Sequence, residues 1–203
     1  MAGDYTRFSF KADKNYSEVR QQQGRVSLDA DWNEGEFIDD RHWRSETYDI
    51  LGRCVVPATT PEAFEIQLSG SGEFNIGVGR LYLDGIQVEN HGLEPVFDPL
   101  LAEPHGTVSV PYNALPGQPV QPYYPTAPAL TLPVTGRSDL VYLHVWQREV
   151  TALEDPELLE IALGGPDTTT RLQTAWQVQV MEDVGDADCP DELPAWDALV
   201  EPS

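Results

Sequence analysis

The acidic stretch Asp29-x-Asp31-x-Asn33 has the residue types and the spacing that open a calcium-binding EF-hand loop. Such a loop also needs a glycine at its sixth position and a bidentate glutamate at its twelfth. Those positions hold Glu34 and Asp40, and a helical pattern begins inside the stretch. Helix capping explains the carboxylates better, because Asp31 and Glu34 have the spacing of a capping box. The sequence therefore predicts a helix cap at Asp31 and Glu34 and no metal site.

No other group of residues forms a recognisable catalytic constellation. Ser69-Gly70-Ser71-Gly72 lacks the order of a nucleophile elbow, and Gly77-x-Gly79 lacks the third glycine of a dinucleotide site. Carboxylate pairs arise by chance among 34 acidic residues, so no glycosidase pair can be singled out. The histidines have no second ligand at metal spacing, which favours structural roles for His42, His91, His105 and His144. We predict a protein that is not an enzyme and holds no cofactor.

The chain is strongly acidic. Lys and Arg total 12 against 34 Asp and Glu, a formal net charge of −22 at pH 7. Nucleic acids and anionic lipid surfaces both need basic faces, so this balance argues against either partner. Only Lys11 and Lys14 are lysines. This preference for arginine over lysine fits a saline habitat, where salt screens the repulsion among the acidic residues, or a bias in the base composition of the genome.

Cysteine usage and hydropathy bear on the compartment. Cys54 and Cys189 are too few for a disulfide framework. We expect free buried thiols, and a single bridge that fixes the C-terminal segment is the alternative. Residues 1–10 lack the apolar core of a signal peptide, and no apolar run approaches the roughly 18 residues of a spanning helix. The sequence predicts synthesis in the cytoplasm without a signal peptide, and no direct membrane insertion.

One long helix is predicted near the N-terminus. Val26 and Leu28 alternate with polar residues as in a short strand, and a helical pattern then runs over 32–51 to a C-cap at Gly52. One side of this helix carries a partly apolar stripe, with Ile38 beside it. Such a stripe is typical of a helix that lies across a sheet edge or between subunits, and the alternative is a solvated, weakly packed helix. The stripe comprises Phe37, Arg41, Arg44, Tyr48 and Leu51. The opposite face is predicted to be charged through Glu36, Asp39, Asp40, Glu46 and Asp49.

The rest of the chain is rich in strand signals. Strands with a period of two are predicted at 64–68, 74–83 and 86–89, with Asp84-Gly85 as a hairpin turn. The strongest strand signal, at 140–150, predicts a central strand in a sheet. The predicted fold class is mainly β with one long N-terminal helix (α+β), antiparallel strands, one short second helix, extended arms and a Pro-rich loop.

The short second helix is predicted at 154–163, with Pro156 at an early position and Gly164 after it. A further strand is predicted within 168–181.

Three segments are predicted to be extended. The aromatic arm at 1–20 packs either on its own domain or on a neighbouring subunit. Ten of the seventeen prolines fall within 95–135, which predicts a polyproline-like loop that lies on a partner subunit or binds a ligand. The tail at 183–203 is acidic. The predicted organisation is 1–52 for the arm, strand and helix, 53–182 for a β-rich domain with the insertion 95–135, and 183–203 for the tail.

Several motifs carry a resemblance to a known group of proteins. Gly3-Asp4-Tyr5-Thr6-Arg7-Phe8 and the stretch from Gln22 through Leu28-Asp29-Ala30-Asp31-Trp32-Asn33-Glu34 resemble an uncharacterised bacterial domain encoded with phage-tail-like contractile injection systems. The segments 76–85, 143–156 and 162–168 are similar to the β portions of such modules. The match covers most of residues 3–180, and many relatives continue beyond the position of Ser203.

The resemblance implies a structural component at the baseplate or periphery of such a particle. Its partners would be other particle subunits (baseplate, spike, tube or sheath), in a homo-oligomer with trimeric or sixfold placement. Aromatic anchors dominate interface energetics, so the interface residues we predict are Tyr5, Phe8, Phe10, Trp32, Phe37, Trp43, Tyr123 and Tyr124. The alternative is a carbohydrate-binding or glycan-cleaving tail module, favoured by five Trp, eight Tyr and many acids. A cation-stabilised surface protein is a third hypothesis.

Overall fold

The fold was analysed in a computed structural model. It describes residues 3–70, 73–93, 108–113, 120–131, 137–185 and 196. These residues form a mainly β structure with antiparallel sheets and a single long helix, which confirms the predicted α+β class. No helix in the described ranges is long and apolar enough to cross a membrane.

The contacts of the chain divide it into two compact units. Unit 1 comprises 1–57, 81–88 and 147–174, and unit 2 comprises 58–80, 89–146 and 175–203. The division into 1–52, 53–182 and 183–203 stays a prediction.

The long helix α1 (Asp29–Leu51) ends as predicted but begins earlier. Its N-cap is Leu28, an extended residue whose side chain cannot cap, and the Leu28 carbonyl accepts the amides of Asp31 and Trp32. Asp31 is therefore the third helical residue, and the predicted cap at Asp31 and Glu34 is wrong. The predicted strand at Val26 is also wrong, since residues 25–28 pair with no strand. Gly52 closes the helix with a positive φ, and its amide donates to the Tyr48 carbonyl.

A sheet with the strand order β1-β4-β5 follows the helix in sequence. It comprises β1 (Cys54–Val55), β4 (Gly79–Leu83) and β5 (Ile86–Asn90), with β1 antiparallel to β4. The hairpin turn at Asp84 and Gly85 has positive φ at both residues, as the sequence predicts. A Cβ on Gly85 would lie 2.3 Å from the Arg44 carbonyl oxygen, so glycine lets this turn approach the backbone of α1.

Unit 2 contains an antiparallel sheet with the order β2-β3-β6. It comprises β2 (Ile66–Gly70), β3 (Glu73–Ile76) and β6 (Val110–Pro111). The rings of Phe74 and Tyr112 pack 4.8 Å apart. The Trp176 indole is buried edge-on to Phe64, and its Nε1 donates to the Glu89 carbonyl at 2.9 Å. Buried rings from distant parts of the chain thus form the core of this unit.

Strands β7 (Leu140–Val150) and β8 (Arg171–Met181) form a two-stranded sheet. Both strands were predicted, and β7 has the predicted bounds. The central position predicted for β7 is wrong for the described residues, because its ladder there runs along β8 alone. Its β-branched and aromatic side chains are mostly half-buried, so they pack without flanking strands on both sides.

The predicted helix at 154–163 is wrong. Two single turns of 3-10 helix, Pro156–Leu158 and Ile161–Leu163, stand in its place. The side chains of Asp155 and Glu160 accept backbone amides two residues ahead, which offers the backbone an alternative to helical bonding. Gly164 ends the second turn in the left-handed conformation.

Part of the Pro-rich segment belongs to the core of unit 2. The Gln121 amide is fully buried and donates to the carbonyls of Tyr112 and Val178, at 2.9 and 3.1 Å. Its oxygen accepts the Val178 amide at 2.7 Å. Gln121 thereby takes the hydrogen-bonding place of a strand neighbour beside β8. Residues 95–107, 114–119 and 132–135 of the predicted loop lie outside the described residues.

A small ion-pair network joins the start of β7 to the end of β8 in unit 2. Arg137 pairs with Asp139 at 2.7 Å, and the Thr131 amide and hydroxyl donate to Glu182. Burial raises the pKa of Asp139, but hydrogen bonds from Arg137 and the Asp183 amide outweigh it, so the pKa is lowered. The Thr131 hydrogen bonds lower the pKa of Glu182. Both carboxylates are thus held in the charged form.

Replacing Gln121 by leucine is expected to lower the free energy of unfolding by about 3 kcal/mol. The change leaves three buried backbone groups without partners, at about 1–3 kcal/mol each before relaxation. Urea-induced unfolding, monitored by tryptophan fluorescence, measures this loss of free energy. The matched control is Gln177→Leu, because Gln177 also lies beside Val178 on β8 but is only half-buried. This control should lower the free energy of unfolding much less. Equal losses in the two variants would contradict the role given to Gln121.

The Asp139–Glu182 network should stabilise the fold at neutral pH and lose its effect in acid. Because both folded pKa values are lowered, the stabilisation is complete above the unfolded values of about 4 and disappears as pH falls through the folded ones. The double variant Asp139→Asn with Glu182→Gln should be less stable than the wild type at pH 7, with a difference that shrinks towards pH 3. Urea unfolding at several pH values measures this. The role of the network is refuted if the stability difference between the two proteins is the same at every pH, or if Glu157→Gln lowers the stability equally.

Candidate functional site

The N-terminal arm lies along α1 and is held by two carboxylates, of which only Glu34 belongs to the cap predicted from the sequence. The Thr6 amide and hydroxyl donate to the two oxygens of Asp29, at 2.9 and 2.5 Å. The Ser9 hydroxyl donates to Glu34 at 2.5 Å. The bond from the Thr6 hydroxyl is the main cause of the lowered pKa of Asp29. The first turns of the helix therefore bind the arm through charged hydrogen bonds.

Aromatic side chains complete the contact between arm and helix. The Phe37 ring packs on Phe8 at 5.0 Å and on Phe10 at 5.9 Å between ring centroids. Nearer the start of the arm, the Tyr5 hydroxyl donates a hydrogen bond to Glu149 and lies 2.7 Å from the Thr170 hydroxyl. All these partners belong to unit 1. The arm thus packs on its own unit here, while an interface role for its aromatic residues stays a prediction.

A second stripe on α1 leaves out the arm-binding residues Asp29, Glu34 and Phe37. Its members recur at alternating four- and three-residue intervals and are all exposed: Trp32, Glu36, Asp39, Trp43, Glu46 and Ile50. Trp32 is 65 % exposed, Trp43 70 % and Ile50 71 %. The only buried residues of the helix are Ala30 and Ile38. We call these six residues the Trp–acid stripe.

A pocket of about 260 Å³ opens at the N-terminal end of the Trp–acid stripe. The returning part of the arm forms its second wall, with Val19 packed over Gly35. Four carboxylates and the Trp32 indole line the pocket together, and the full lining comprises Glu18, Val19, Gln21, Asp31, Trp32, Gly35, Glu36 and Asp39. Such a pocket attracts positive charge and offers an aromatic face to it.

Unit 1 exposes a second apolar region in the connection between β7 and β8. Leu153 is 96 % exposed and Ile161 is 89 % exposed, and Leu163 and Leu172 are also exposed. The second of the single turns that replace the predicted helix presents Ile161 and Leu163 outward, whereas Leu172 lies at the start of β8.

The other residues singled out from the sequence have ordinary surroundings. Tyr123 packs edge-on to the Trp176 ring at 6.4 Å, and Tyr124 is half-buried. Cys54 is exposed, so the expected burial of this thiol is wrong, because β1 is a short edge strand. Cys189 lies outside the described residues.

The histidines do not gather into one place. His144 lies against the Trp146 ring and within 3.1 Å of the Gln177 amide, and His42 and His91 are exposed. His105 lies outside the described residues. Within the described ranges, no three His, Cys, Asp or Glu side chains are placed to hold a metal ion. The geometry of the Trp–acid stripe suits binding of a partner surface.

Sequence reasoning named Trp32 and Trp43 individually and missed their common face. It placed Glu36, Asp39 and Glu46 on the charged side of the helix without noticing that both indoles and Ile50 lie there too. The signal was present as the alternating four- and three-residue spacing, which is the period of a coiled-coil seam.

Replacing Phe37 by alanine is expected to release the arm from α1. The change removes two ring contacts worth about 0.5–1.5 kcal/mol each besides the buried area, so the arm should open roughly tenfold more often. Limited trypsin digestion at Arg7, Lys11 and Lys14, read by mass spectrometry, measures the opening. Trp43→Ala, on the other face, is the control and should digest like the wild type. Equal digestion of the Phe37 variant would show that the rings do not hold the arm.

The chain was compared with known families, curated proteins and solved structures. No curated protein and no solved structure matches it. A family of unknown function, DUF6519, matches residues 1–195. Since the match spans almost the whole chain, the protein belongs to the DUF6519 family.

Proposed function

We propose that the protein is a structural subunit of a larger protein assembly and that it meets a neighbouring subunit through the Trp–acid stripe of α1. The observation that carries this proposal is the exposure of Trp32, Trp43 and Ile50 on a helix of 23 residues that buries two. Large aromatic side chains are the usual anchors of protein interfaces, and contiguous exposed apolar surface marks interaction sites.

The resemblance of the N-terminal motifs specifies the assembly as a phage-tail-like contractile injection particle, with the subunit at its baseplate or periphery. The segment Trp32-Asn33-Glu34, which lies in the first turns of α1, is part of that resemblance. Partner subunits of the baseplate, spike, tube or sheath would then cover the stripe. Mechanistically, the protein would act by holding neighbours in register, with α1 as a rod of about 35 Å at 1.5 Å per residue.

The test is the association of the protein with particles in the organism that encodes it. A C-terminally tagged chain should sediment with sheath, tube and baseplate subunits, which mass spectrometry identifies. The double variant Trp32→Ala with Trp43→Ala should lose most of that association, since each anchor contributes more than about 1 kcal/mol. Leu153→Ala with Ile161→Ala is the matched control, because it removes equally exposed apolar groups elsewhere in unit 1. Sedimentation of the wild type as a free protein refutes the proposal.

A carbohydrate-binding module is the second candidate function, and the pocket beside Trp32 is the observation that favours it. An indole flanked by Asp31, Glu36 and Asp39 offers a stacking surface together with hydrogen-bond acceptors. Glycan-array binding by the whole chain, abolished by Trp32→Ala, would support this function. The pocket covers only one end of the Trp–acid stripe, so a glycan leaves Trp43 and Ile50 unexplained.

A further inference from the structure

We infer that the occupant of the Trp–acid stripe is a basic amphipathic helix of a different protein, paired side by side with α1. This inference rests on the proposed function, since it names the chemistry of the neighbour that the stripe contacts. It draws on three features of α1: the spacing of the stripe, its charge and the pocket at its end.

The spacing favours a helix as the occupant. Members at positions 32, 36, 39, 43, 46 and 50 follow the four-three alternation of the seam in a coiled coil. Knobs at this spacing stay in line with a second helix over about 27 Å, the rise of the 18 residues between Trp32 and Ile50. An extended segment has a period of two and would meet the stripe at irregular intervals.

The charge specifies the partner as basic. The helix α1 carries eight carboxylates and two arginines. One of these arginines, Arg44, pairs within the helix with Asp40 at 3.6 Å. Within the stripe, two carboxylates lie between Trp32 and Trp43, and one lies between Trp43 and Ile50. A partner that buries Trp43 must therefore bring Lys or Arg beside Glu36, Asp39 and Glu46, because unpaired carboxylates at an interface are costly.

The same charges argue against a second copy of this chain on the stripe. In a parallel pair each carboxylate would face its own counterpart. In an antiparallel pair centred near Arg41, Glu36 would face Glu46. Both arrangements place like charges opposite each other, in a chain whose net charge is already −22.

The pocket beside Trp32 marks the place where one cationic side chain of the partner inserts. Its volume of about 260 Å³ admits a guanidinium group and its stem. A cation there lies over the Trp32 indole and beside Glu36 and Asp39, which combines a cation–π contact with ion pairs. Arg7 lies 4.0 Å from Asp31, with the Arg7 side chain 62 % exposed, which leaves the pocket itself open.

The test uses two synthetic helical peptides of 21 residues as probes. Both carry leucine at seam positions, and they differ in having lysine or glutamate at every flanking position. Titration of the labelled peptides with the whole chain, followed by fluorescence anisotropy, should give saturable binding of the basic peptide only. The affinity should fall at least several-fold between 50 and 500 mM salt, since screening weakens exposed ion pairs.

Two variants locate the binding on the stripe. Trp32→Ala with Trp43→Ala should weaken binding of the basic peptide at least about tenfold. Glu36→Lys with Asp39→Lys should weaken it similarly and improve binding of the acidic peptide. Glu157→Lys with Asp167→Lys gives the same change in net charge at exposed positions off the stripe, and should stay within about twofold of the wild type.

Several outcomes would overturn the inference. Absence of saturable binding of the basic peptide up to about 1 mM, or equal binding of both peptides, excludes a basic helical occupant. If the wild type is a dimer and the variant Trp32→Ala with Trp43→Ala is a monomer, the occupant is a second copy of this chain. If a glycan binds at Trp32 in competition with the peptide, the occupant is a carbohydrate. One outcome separates the two proposals. If neither peptide binds, but the variant Trp32→Ala with Trp43→Ala still loses its association with the particle, the assembly role stands and the basic helical occupant is wrong.

Discussion

The contact between the N-terminal arm and the first turns of α1 is the interaction on which unit 1 depends. A helix that buries only Ala30 and Ile38 has little tertiary packing of its own, although such packing supplies most of the stability of helices in proteins. The arm compensates through the charged hydrogen bonds at Asp29 and Glu34 and through the rings around Phe37. Because the arm occupies one side of α1, it also decides which side remains open. The contacts of the arm with Asp29, Glu34 and Phe37 leave the Trp–acid stripe exposed, with Glu18 and Val19 beside its N-terminal end.

Unit 2 solves a different problem, which is how a proline-rich segment can enter a β core. Proline has no amide hydrogen, so a segment that contains Pro122 and Pro125 cannot supply a full ladder of backbone donors. The Gln121 side chain supplies both a donor and an acceptor to Val178 instead. Asn90 acts similarly, since its buried amide donates to the carbonyls of Ile76 and Gly77. Side-chain amides thereby satisfy the backbone groups that the sheets leave unpaired.

Local signals in the sequence were sufficient for some elements and insufficient for others. The Asp84-Gly85 turn, the end of α1 at Gly52 and the bounds of β7 depend on residues close in sequence, and their prediction from sequence is confirmed. The cap at Asp31 failed because Asp29, two residues earlier, has a distant partner in Thr6.

The helix at 154–163 failed for a related reason. Asp155 and Glu160 interrupt the helical ladder by accepting nearby amides, a competition that periodicity does not reveal. In the candidate site, the individual anchors Trp32 and Trp43 were predicted from residue type. Their common face was missed although its four- and three-residue spacing is visible in the sequence. The exposure of that face could not be predicted, because it depends on which residues of the helix the arm contacts.

The charge of the stripe bears on how a protein can keep such anchors exposed. Two indoles and an isoleucine in line would pair with their counterparts on another copy if apolar contact were the only force. The carboxylates that lie between these anchors oppose that pairing through like-charge repulsion, and they do so in either orientation of the two helices. The same groups become favourable when the approaching helix carries lysine or arginine. In the proposed pairing, selection between partners would arise from the repulsion as much as from the attraction. The acidic residues of α1 would serve specificity, while Trp32, Trp43 and Ile50 would supply the affinity.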